Sequence, residues 1–295
     1  YQLGVILYRY FAEEYAARHS DVYQQVLNLT EGEKQRLLFL LEENYLPQNR
    51  VYRYNYFYDN CTTRARDRIE AAINGRVVYP DSLPEKSFRG IVHEFTADSP
   101  WDELGIDLCL GREADYPIGN RLQMFSPFYM RDYASRAYIV TDDGAKRPLV
   151  QEEFKAVEAA HRSASSSSPL TPMMCSSLFL LVCAFLAWIQ WKKNQVWWGW
   201  DAVLYLSQGL AGCIIAFLFF FSVHPTVGSN WLLILFNPLP LLYLPRLVYC
   251  EIKHKKDWFH VVYMICLTLF IAIVPVCGQK INLSVLPLAL GLLVN

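Results

Sequence analysis

Charged side chains are scarce in the second half of this sequence, and several common functional patterns are missing from all of it. Residues 1–169 carry 45 charged side chains, whereas residues 170–295 carry only 10. The net charge of −1 therefore averages two segments that suit different solvents. The sequence has no glycine-rich phosphate loop, no Cys-x-x-Cys or His-x-x-x-His metal pattern, and no basic cluster interleaved with aromatic residues. These absences predict no metal, no cofactor and no nucleic-acid partner.

Long apolar runs take the place of charge in residues 170–295. Crossing the hydrocarbon core of a membrane takes about 20 apolar residues. The runs that approach or reach this length cover 170–188, 201–222, 230–249 and 258–276. A fifth run, 281–294, would cover only about 21 Å at 1.5 Å per residue, so we interpret it as a truncated span. The pattern predicts an all-α polytopic membrane domain of about five transmembrane helices, which a Ser-rich linker (163–169) joins to a soluble domain (1–162).

Basic residues in the loops predict the orientation of the chain, because cytoplasmic loops are enriched in Lys and Arg. Six basic residues lie in the loops after the first and third spans or, for Arg246, at the end of the third span, whereas the loops after the second and fourth carry only Lys280. The basic loops are therefore predicted to be cytoplasmic. The soluble domain then lies on the opposite side, which predicts a multi-pass protein of the inner (cytoplasmic) membrane with a periplasmic domain.

The soluble domain mixes helical and strand-like patterns, which predicts an α+β fold. The predicted elements are a helix over 4–19, a helix capped at Thr30, a strand over 51–58 with alternating tyrosines, a helix over 61–73, two short strands around the turn at 142–144, and a helix up to 162. These strands are too few to close a sheet. Because the sequence starts at a tyrosine and its last apolar run is short, we expect a fragment cut at both ends.

Cys61 is the strongest candidate for chemistry. It opens a helix-like run in which Asp59 or Asn60 can serve as N-cap. A cysteine in the first helical turn feels the positive end of the helix dipole, and Arg64 one turn later adds a second cationic influence. Such a setting favours the nucleophilic thiolate. The alternative interpretations are a buried small side chain or one half of a disulfide with Cys109.

Residues beside Cys61 are candidates for supporting roles. Asn60, Thr62 and local backbone N–H groups are candidates for stabilising a tetrahedral oxyanion. Arg64 is expected to pair with Asp67 rather than with a lipid phosphate.

A thiol nucleophile also needs a general base, normally histidine. Of the six histidines, His224 is the one that the predicted topology places at the outer membrane surface, in the loop 222–230. His224 is therefore a candidate for a membrane-side site, and Asn237, in a segment that carries the family resemblance given below, is a second one. A single loop histidine is more often structural, so no histidine of this sequence is assigned as the base.

Three motifs carry a resemblance to a known family. They are Tyr-Phe-Tyr-Asp-Asn-Cys-Thr-Thr-Arg-Ala-Arg-Asp at 56–67, Leu-Gly-Ile-Asp-Leu-Cys-Leu-Gly-Arg-Glu-Ala-Asp at 104–115, and Gln-Met-Phe-Ser-Pro-Phe-Tyr-Met at 123–130. Together they resemble the extracytoplasmic domain of the Lnb-type lipoprotein N-acyltransferases. In that family a five-helix membrane domain follows, and the His224-Pro and Asn237-Pro-Leu-Pro segments are similar to it. The resemblance covers essentially the whole chain.

The resemblance implies a function and a fold. The function is transfer of an acyl chain from a membrane phospholipid, through a thioester on Cys61, to the N-terminal amine of a diacylated lipoprotein. The fold is similar to permuted papain-like acyltransferases such as lecithin-retinol acyltransferase, in which a strand histidine precedes the Asn-Cys helix start. That histidine is expected upstream of Tyr1, so residues 1–295 alone are expected to lack their general base and to be inactive.

Two other functions are consistent with the residues. A membrane-anchored extracytoplasmic cysteine hydrolase or peptidase would use the same Cys61 helix but needs no five-span membrane domain. A non-catalytic envelope protein, with Cys61 paired to Cys109, would need neither thiolate nor base. Acyl transfer is preferred because it gives a role to both halves of the chain.

Overall fold

The computed structural model describes residues 1–81, 85–159 and 169–295, which form two compact units. The first unit comprises Tyr1–Lys86 and Pro117–Ser166, and the second comprises Ser87–Tyr116 and Ser167–Asn295. Residues 87–116 thus group with the apolar helices. The sequence predicts instead that all of residues 1–162 belong to the soluble domain. Apart from Pro169, the predicted linker at 163–169 lies outside the described residues.

The first unit combines helices with short antiparallel strands. Its helices are α1 (Tyr8–Ala17), α2 (Glu31–Tyr45), α3 (Cys61–Ala72), α6 (Asn120–Gln123) and α7 (Pro127–Arg136). The strands of the described chain are β1 (Val22–Leu27), β2 (Arg76–Val78), β3 (Lys86–Ser87), β4 (Pro117–Ile118), β5 (Tyr138–Val140), β6 (Lys146–Pro148) and β7 (Val150–Val157). The predicted mixture of helix and strand is confirmed. The helix predicted to start at residue 4 begins only at Tyr8.

Two sheets and one apolar cluster hold this unit together. Strand β1 pairs antiparallel with β7, and β5 lies between β2 and β6, also antiparallel. The turn between β5 and β6 uses Gly144 at φ +85°, a backbone conformation that glycine adopts without strain. The cluster joins helices α3 and α7 to the strands through the buried side chains of Ile73, Ala134, Ala137, Ile139 and Leu149. The end of the Cys61 helix is therefore anchored in the core of the unit.

The strand predicted over residues 51–58 is wrong. These residues form turns and isolated bridges, in which the backbones of Asn55 and Asp59 bond to each other in both directions at 3.0 Å. The Asn55 side chain also accepts the N–H groups of Phe57 and Tyr58, at 3.2 Å each. An asparagine that bonds to the backbone two and three residues ahead favours a turn over an extended strand.

The helix predicted up to residue 162 is also wrong, because residues 150–157 form strand β7. Its partner β1 lies more than 120 residues earlier in the sequence, with Gln24 opposite Phe154 in the register. Pairing over such a distance leaves no signal in the local sequence, and it overrides the helix preference of the Gln, Glu, Lys and Ala residues in this stretch.

The second unit contains a pair of polar helices and a set of apolar ones. The polar pair is α4 (Phe88–Thr96) and α5 (Pro100–Cys109), and the apolar helices are α8 (Pro172–Lys193), α9 (Trp198–Phe221), α10 (Leu232–Leu235), α11 (Leu239–Ile252), α12 (Trp258–Ile273) and α13 (Val285–Val294). Leu104 of α5 belongs to the same buried cluster as Ile215, Leu235 and Phe270 of the apolar helices. The α4–α5 pair is therefore part of the membrane unit.

Three stretches of the described chain are long and apolar enough to cross a membrane: Pro172–Lys193, Trp198–Phe221 and Leu232–Ile252. The third is interrupted between α10 and α11, where Asn237 accepts the N–H of Leu239 and donates to the carbonyl of Ile234. Helix α12 ends at Ile273, three residues before the end of the predicted apolar run, and Pro275, which has no N–H to donate, follows two residues later. With α12 and α13 as two shorter apolar helices, the membrane region is consistent with about five helices.

Candidate active site

Cys61 is the first residue of helix α3, as the sequence predicts. Its thiol is exposed and not part of a disulfide, and Cys109 is also a free cysteine. Burial raises the pKa of the Cys109 thiol, which suits a packing role. Of these two cysteines, the exposed Cys61 is therefore the one placed to react with a substrate.

Asn60 fixes the turn that presents Cys61. Its side-chain oxygen accepts the N–H groups of Thr62 at 2.8 Å and Thr63 at 2.9 Å, and the Thr63 hydroxyl accepts the N–H of Asn60 at 2.9 Å. This reciprocal pattern is a capping box, which satisfies backbone donors that a helix start leaves without partners. The prediction of an N-cap at 59 or 60 is confirmed at Asn60.

The other end of the Asn60 amide ties the Cys61 turn to the rest of the first unit. Its Nδ2 donates to the carbonyls of Tyr56 and Phe125, at 2.9 Å each, and the side chain is 4% exposed. All the amide's hydrogen-bonding groups are therefore engaged by the protein. Asn60 has a supporting role in this geometry, and its amide is not a free donor for an oxyanion.

The backbone N–H of Cys61 is placed differently from that of Thr62. The Thr62 N–H is bonded to Asn60, whereas the Cys61 N–H has no hydrogen-bond acceptor among the described residues. The Cys61 N–H is one of the backbone donors that a helix start leaves without an intrahelical partner, and it belongs to the same residue as the thiol. It is the local donor best placed to stabilise an oxyanion that forms when the thiolate attacks a carbonyl.

Arg64 pairs with Asp59, and the expected pairing with Asp67 is wrong. Its Nε and Nη2 donate to the two carboxylate oxygens of Asp59 at 2.7 and 2.8 Å, while Asp67 accepts from Arg66 and Arg121. Because the charges of Arg64 and Asp59 offset each other, Arg64 adds less positive potential than the sequence suggests. The bidentate pair instead fixes the helix start against the residue that precedes Asn60.

Tyrosine side chains surround the Cys61 turn. The Arg64 guanidinium lies 3.6 Å from the ring centre of Tyr52, and the rings of Tyr1 and Tyr54 stack with centroids 4.1 Å apart. Burial raises the pKa of Tyr54 to about 12, with a further contribution from the negative charge of a Cys61 thiolate. The same two causes raise the pKa of Tyr52, while Arg64 opposes them. These hydroxyls stay protonated at neutral pH.

The structure does not join a histidine to Cys61, since within the described ranges no hydrogen bond links the thiol to an imidazole. His93 of α4 instead contacts Asp107 of α5, with 2.8 Å between Nε2 and Oδ1. The ligand atoms of His93, Glu103 and Asp107 lie within 4.8 Å of one another, close enough to hold a metal ion. Asp107, however, already bonds to Arg89 at 2.5 Å and to Asn282 at 3.2 Å, which leaves it little capacity for a cation.

The buried arginine of this cluster is not predicted by the sequence. Arg89 is 0% exposed, and its guanidinium bonds to the carboxylates of Asp107 and Asp115 and to the carbonyls of Leu110 and Gly111. The partners lie 18 to 26 residues away in the sequence. A single arginine in an amphipathic helix carries no signal for such a network, which fixes the segment after α5 within the membrane unit.

The membrane-side candidates His224 and Asn237 are placed apart. His224 lies in the loop after α9, where burial lowers its pKa and its Nδ1 is 3.4 Å from the Thr226 hydroxyl. Asn237 lies two residues before the first residue of α11 and accepts its N–H, and the Asn237 backbone lies against Gly212, where a Cβ atom would meet it at 2.3 Å. Gly212 is about 13 Å from the end of α9 at 1.5 Å per residue, so the structure does not bring the two residues into one site.

Two models of known protein families match this chain. Residues 1–92 match the family described as the Lnb N-terminal periplasmic domain, and residues 163–295 match the Lnb transmembrane domain. Neither the curated proteins nor the solved structures gave a significant match. The two family matches confirm the resemblance carried by the motif around Cys61. The chain therefore belongs to the Lnb-type lipoprotein N-acyltransferases, and it is a membrane protein of lipoprotein maturation with a periplasmic N-terminal domain and a transmembrane domain.

Proposed function

We propose that the protein moves an acyl chain from a membrane phospholipid to the N-terminal amine of a diacylated lipoprotein, through a thioester on Cys61. The observation that carries the proposal is the exposed, free thiol of Cys61 at the first residue of α3, with its own backbone N–H unengaged by the described residues. Nucleophile and oxyanion donor thus come from the same residue. A papain-like fold would suit this mechanism, and it is inferred from the family alone.

The first half of the reaction forms the acyl-enzyme. The Cys61 thiolate attacks the carbonyl carbon of a phospholipid ester, and the Cys61 N–H stabilises the resulting oxyanion. When the tetrahedral intermediate collapses, the carbon–sulfur bond remains and the carbon–oxygen bond to glycerol breaks. The proton that left the thiol ends on the glycerol oxygen, so the first product is a lysophospholipid.

The second half regenerates the thiol. The neutral N-terminal amine of the lipoprotein attacks the thioester carbonyl, a carbon–nitrogen bond forms, and the carbon–sulfur bond breaks. The amine proton returns to sulfur, so no oxidant or reductant is needed. A thioester divides ester-to-amide transfer into two easier steps, provided that water is kept from it. Tyr52 and Tyr54 lie near enough to sense the charge of a Cys61 thiolate, and in this proposal they limit the access of water to the thioester.

Product analysis tests the proposal against hydrolysis. Full-length protein in vesicles would be incubated with a phospholipid that carries an isotope-labelled acyl chain, with and without a diacylated lipopeptide. We expect labelled N-acyl lipopeptide and one lysophospholipid per transfer, identified by mass spectrometry. Labelled free fatty acid that is insensitive to the lipopeptide would identify a phospholipase, and cleavage of the peptide would identify the hydrolase alternative. A lipopeptide with a blocked N-terminus is the matched control, which should accept no label.

A further inference from the structure

A pocket of about 430 Å³ lies in the second unit, and its lining includes none of the residues of the candidate active site. Its lining includes the charged side chains of Arg112 and Glu113 and the apolar side chains of Phe219, Leu233 and Ile234. The volume is in the range of small-molecule sites, about 300–1,000 Å³. A lining that combines both charges with apolar side chains suits an amphiphile rather than a fully polar or fully apolar ligand.

The two charged side chains are available to a ligand. Arg112 has no ion pair or hydrogen bond to its side chain among the described residues, and neither does Glu113. The Arg112 guanidinium lies 5.6 Å from the ring centre of Tyr116 and passes beside Gly278, where a Cβ atom would come within 3.1 Å of Nε. An unpaired guanidinium offers a planar pair of donors, which matches the oxygens of a phosphate group.

The backbone that carries these side chains is held in place on both sides. The N–H of Gly111 donates to the carbonyl of Thr226 at 2.7 Å, and those of Arg112 and Glu113 donate to Ser229 at 3.2 Å each. A Cβ atom on Gly111 would come within 2.8 Å of Ser229, so this close approach needs glycine. The backbone of the site is therefore held in place, while its two charged side chains remain unpaired. Such a preorganised arrangement lowers the cost of binding a ligand.

The pocket lies where an apolar helix ends. Phe219 is in the last turn of α9, and the chain leaves that helix through the loop that carries Ser229. In a transmembrane domain, such a place is at the level of the lipid head groups. A ligand there can leave its acyl chains in the bilayer while its head group enters the pocket.

We propose that this pocket binds the head group of a phospholipid that carries both a phosphodiester and a primary ammonium group. Arg112 contacts the phosphate, Glu113 contacts the ammonium, and Phe219 and Ile234 contact the glycerol and the first carbons of the chains. The inference rests on the proposed function only for the use of that lipid as an acyl donor. Binding of the lipid itself depends on the pocket alone.

Lipid retention tests the site without requiring catalysis. The full-length protein with Cys61→Ala, which keeps donor lipid intact, would be equilibrated with vesicles that hold equal amounts of two lipids with identical chains and ethanolamine or glycerol head groups. Retained lipid would be counted by native mass spectrometry. We expect the ethanolamine lipid to be preferred, Arg112→Gln to lower retention of both lipids about tenfold or more, and Glu113→Gln to remove the preference alone.

Controls separate the pocket from general effects. Lys280→Gln removes a positive charge from an exposed side chain outside the pocket lining and should leave retention unchanged, while Arg112→Lys should restore part of it. The proposal would be overturned if Arg112→Gln retained as much lipid as the parent protein. It would also be overturned if Lys280→Gln lost as much lipid as Arg112→Gln. Full competition by water-soluble glycerophosphoethanolamine would identify a soluble phosphate-ester site instead. None of these results depends on acyl transfer, so a failure here is distinguishable from a failure of the proposed function.

Discussion

Replacement of Cys61 by alanine is expected to abolish lipoprotein N-acylation by the full-length protein, by a factor on the order of 10⁴ or more. Cys61 would supply the nucleophile, and its thiol is exposed at a helix start that is fixed by Asn60. Alanine keeps the backbone N–H and the helix, so the oxyanion donor and the fold should persist. Cys61→Ser should leave at most a trace of activity, because a hydroxyl is far less ionised than a thiol at neutral pH.

The matched control for this prediction is Cys109→Ala. Cys109 is a half-buried free cysteine of α5, and its thiol pKa is raised by burial, so its loss should change N-acylation less than about twofold. Conversion of diacylated to triacylated lipoprotein would be followed by mass spectrometry. Near-normal conversion by Cys61→Ala, with the protein folded and inserted, would refute the mechanism.

Substitution of Arg89 by methionine is expected to destabilise the second unit by about 3–5 kcal/mol, the typical result of breaking a buried ion pair from one side. Arg89 is 0% exposed and bonds to two carboxylates, those of Asp107 and Asp115, which are themselves buried. Methionine fills similar volume but leaves both charges without their cation. Thermal unfolding of the protein in detergent, followed by tryptophan fluorescence, would report the loss as a lower Tm.

An exposed arginine gives the comparison. Arg131 pairs with Glu153 at 3.1 Å, and the two side chains are 36% and 30% exposed. Ion pairs of this kind contribute about 0–1 kcal/mol, so Arg131→Met should lower the Tm only slightly. If Arg89→Met and Arg131→Met had equal, small effects, the buried network would not stabilise the unit. Arg89→Lys should lower the Tm by an amount between those two, because lysine keeps the charge but loses the planar set of donors.

The features that the sequence predicts correctly depend on neighbours along the chain. The N-cap at Asn60 and the capping box at Thr30 follow from side chains that bond to backbone groups two or three residues away. The long apolar helices follow from hydropathy, which needs no knowledge of packing. The position of Cys61 at a helix start belongs to this local class, which is why the candidate nucleophile was identifiable from sequence.

The features that the sequence does not predict depend on distant partners. Strand β7 exists because β1 lies beside it, and Arg89 is neutralised by carboxylates that come from another helix and the segment after it. The tyrosines of residues 51–58 alternate as in a strand, yet Asn55 turns the chain and no strand of the described residues extends them. The alternating tyrosines therefore belong to the turns that precede Cys61 and not to a strand of a sheet.

The acyl-enzyme itself is the most direct test of the central claim. Full-length protein would be incubated with phospholipid in the absence of acceptor, quenched in acid and digested, and the peptide that contains Cys61 would be analysed by mass spectrometry. We expect a mass increase of one acyl chain on Cys61, which is removed by hydroxylamine and also by addition of diacylated lipopeptide. An acyl group found on another residue, or N-acylated lipopeptide formed at the normal rate with no modification of Cys61 at any time, would contradict the claim.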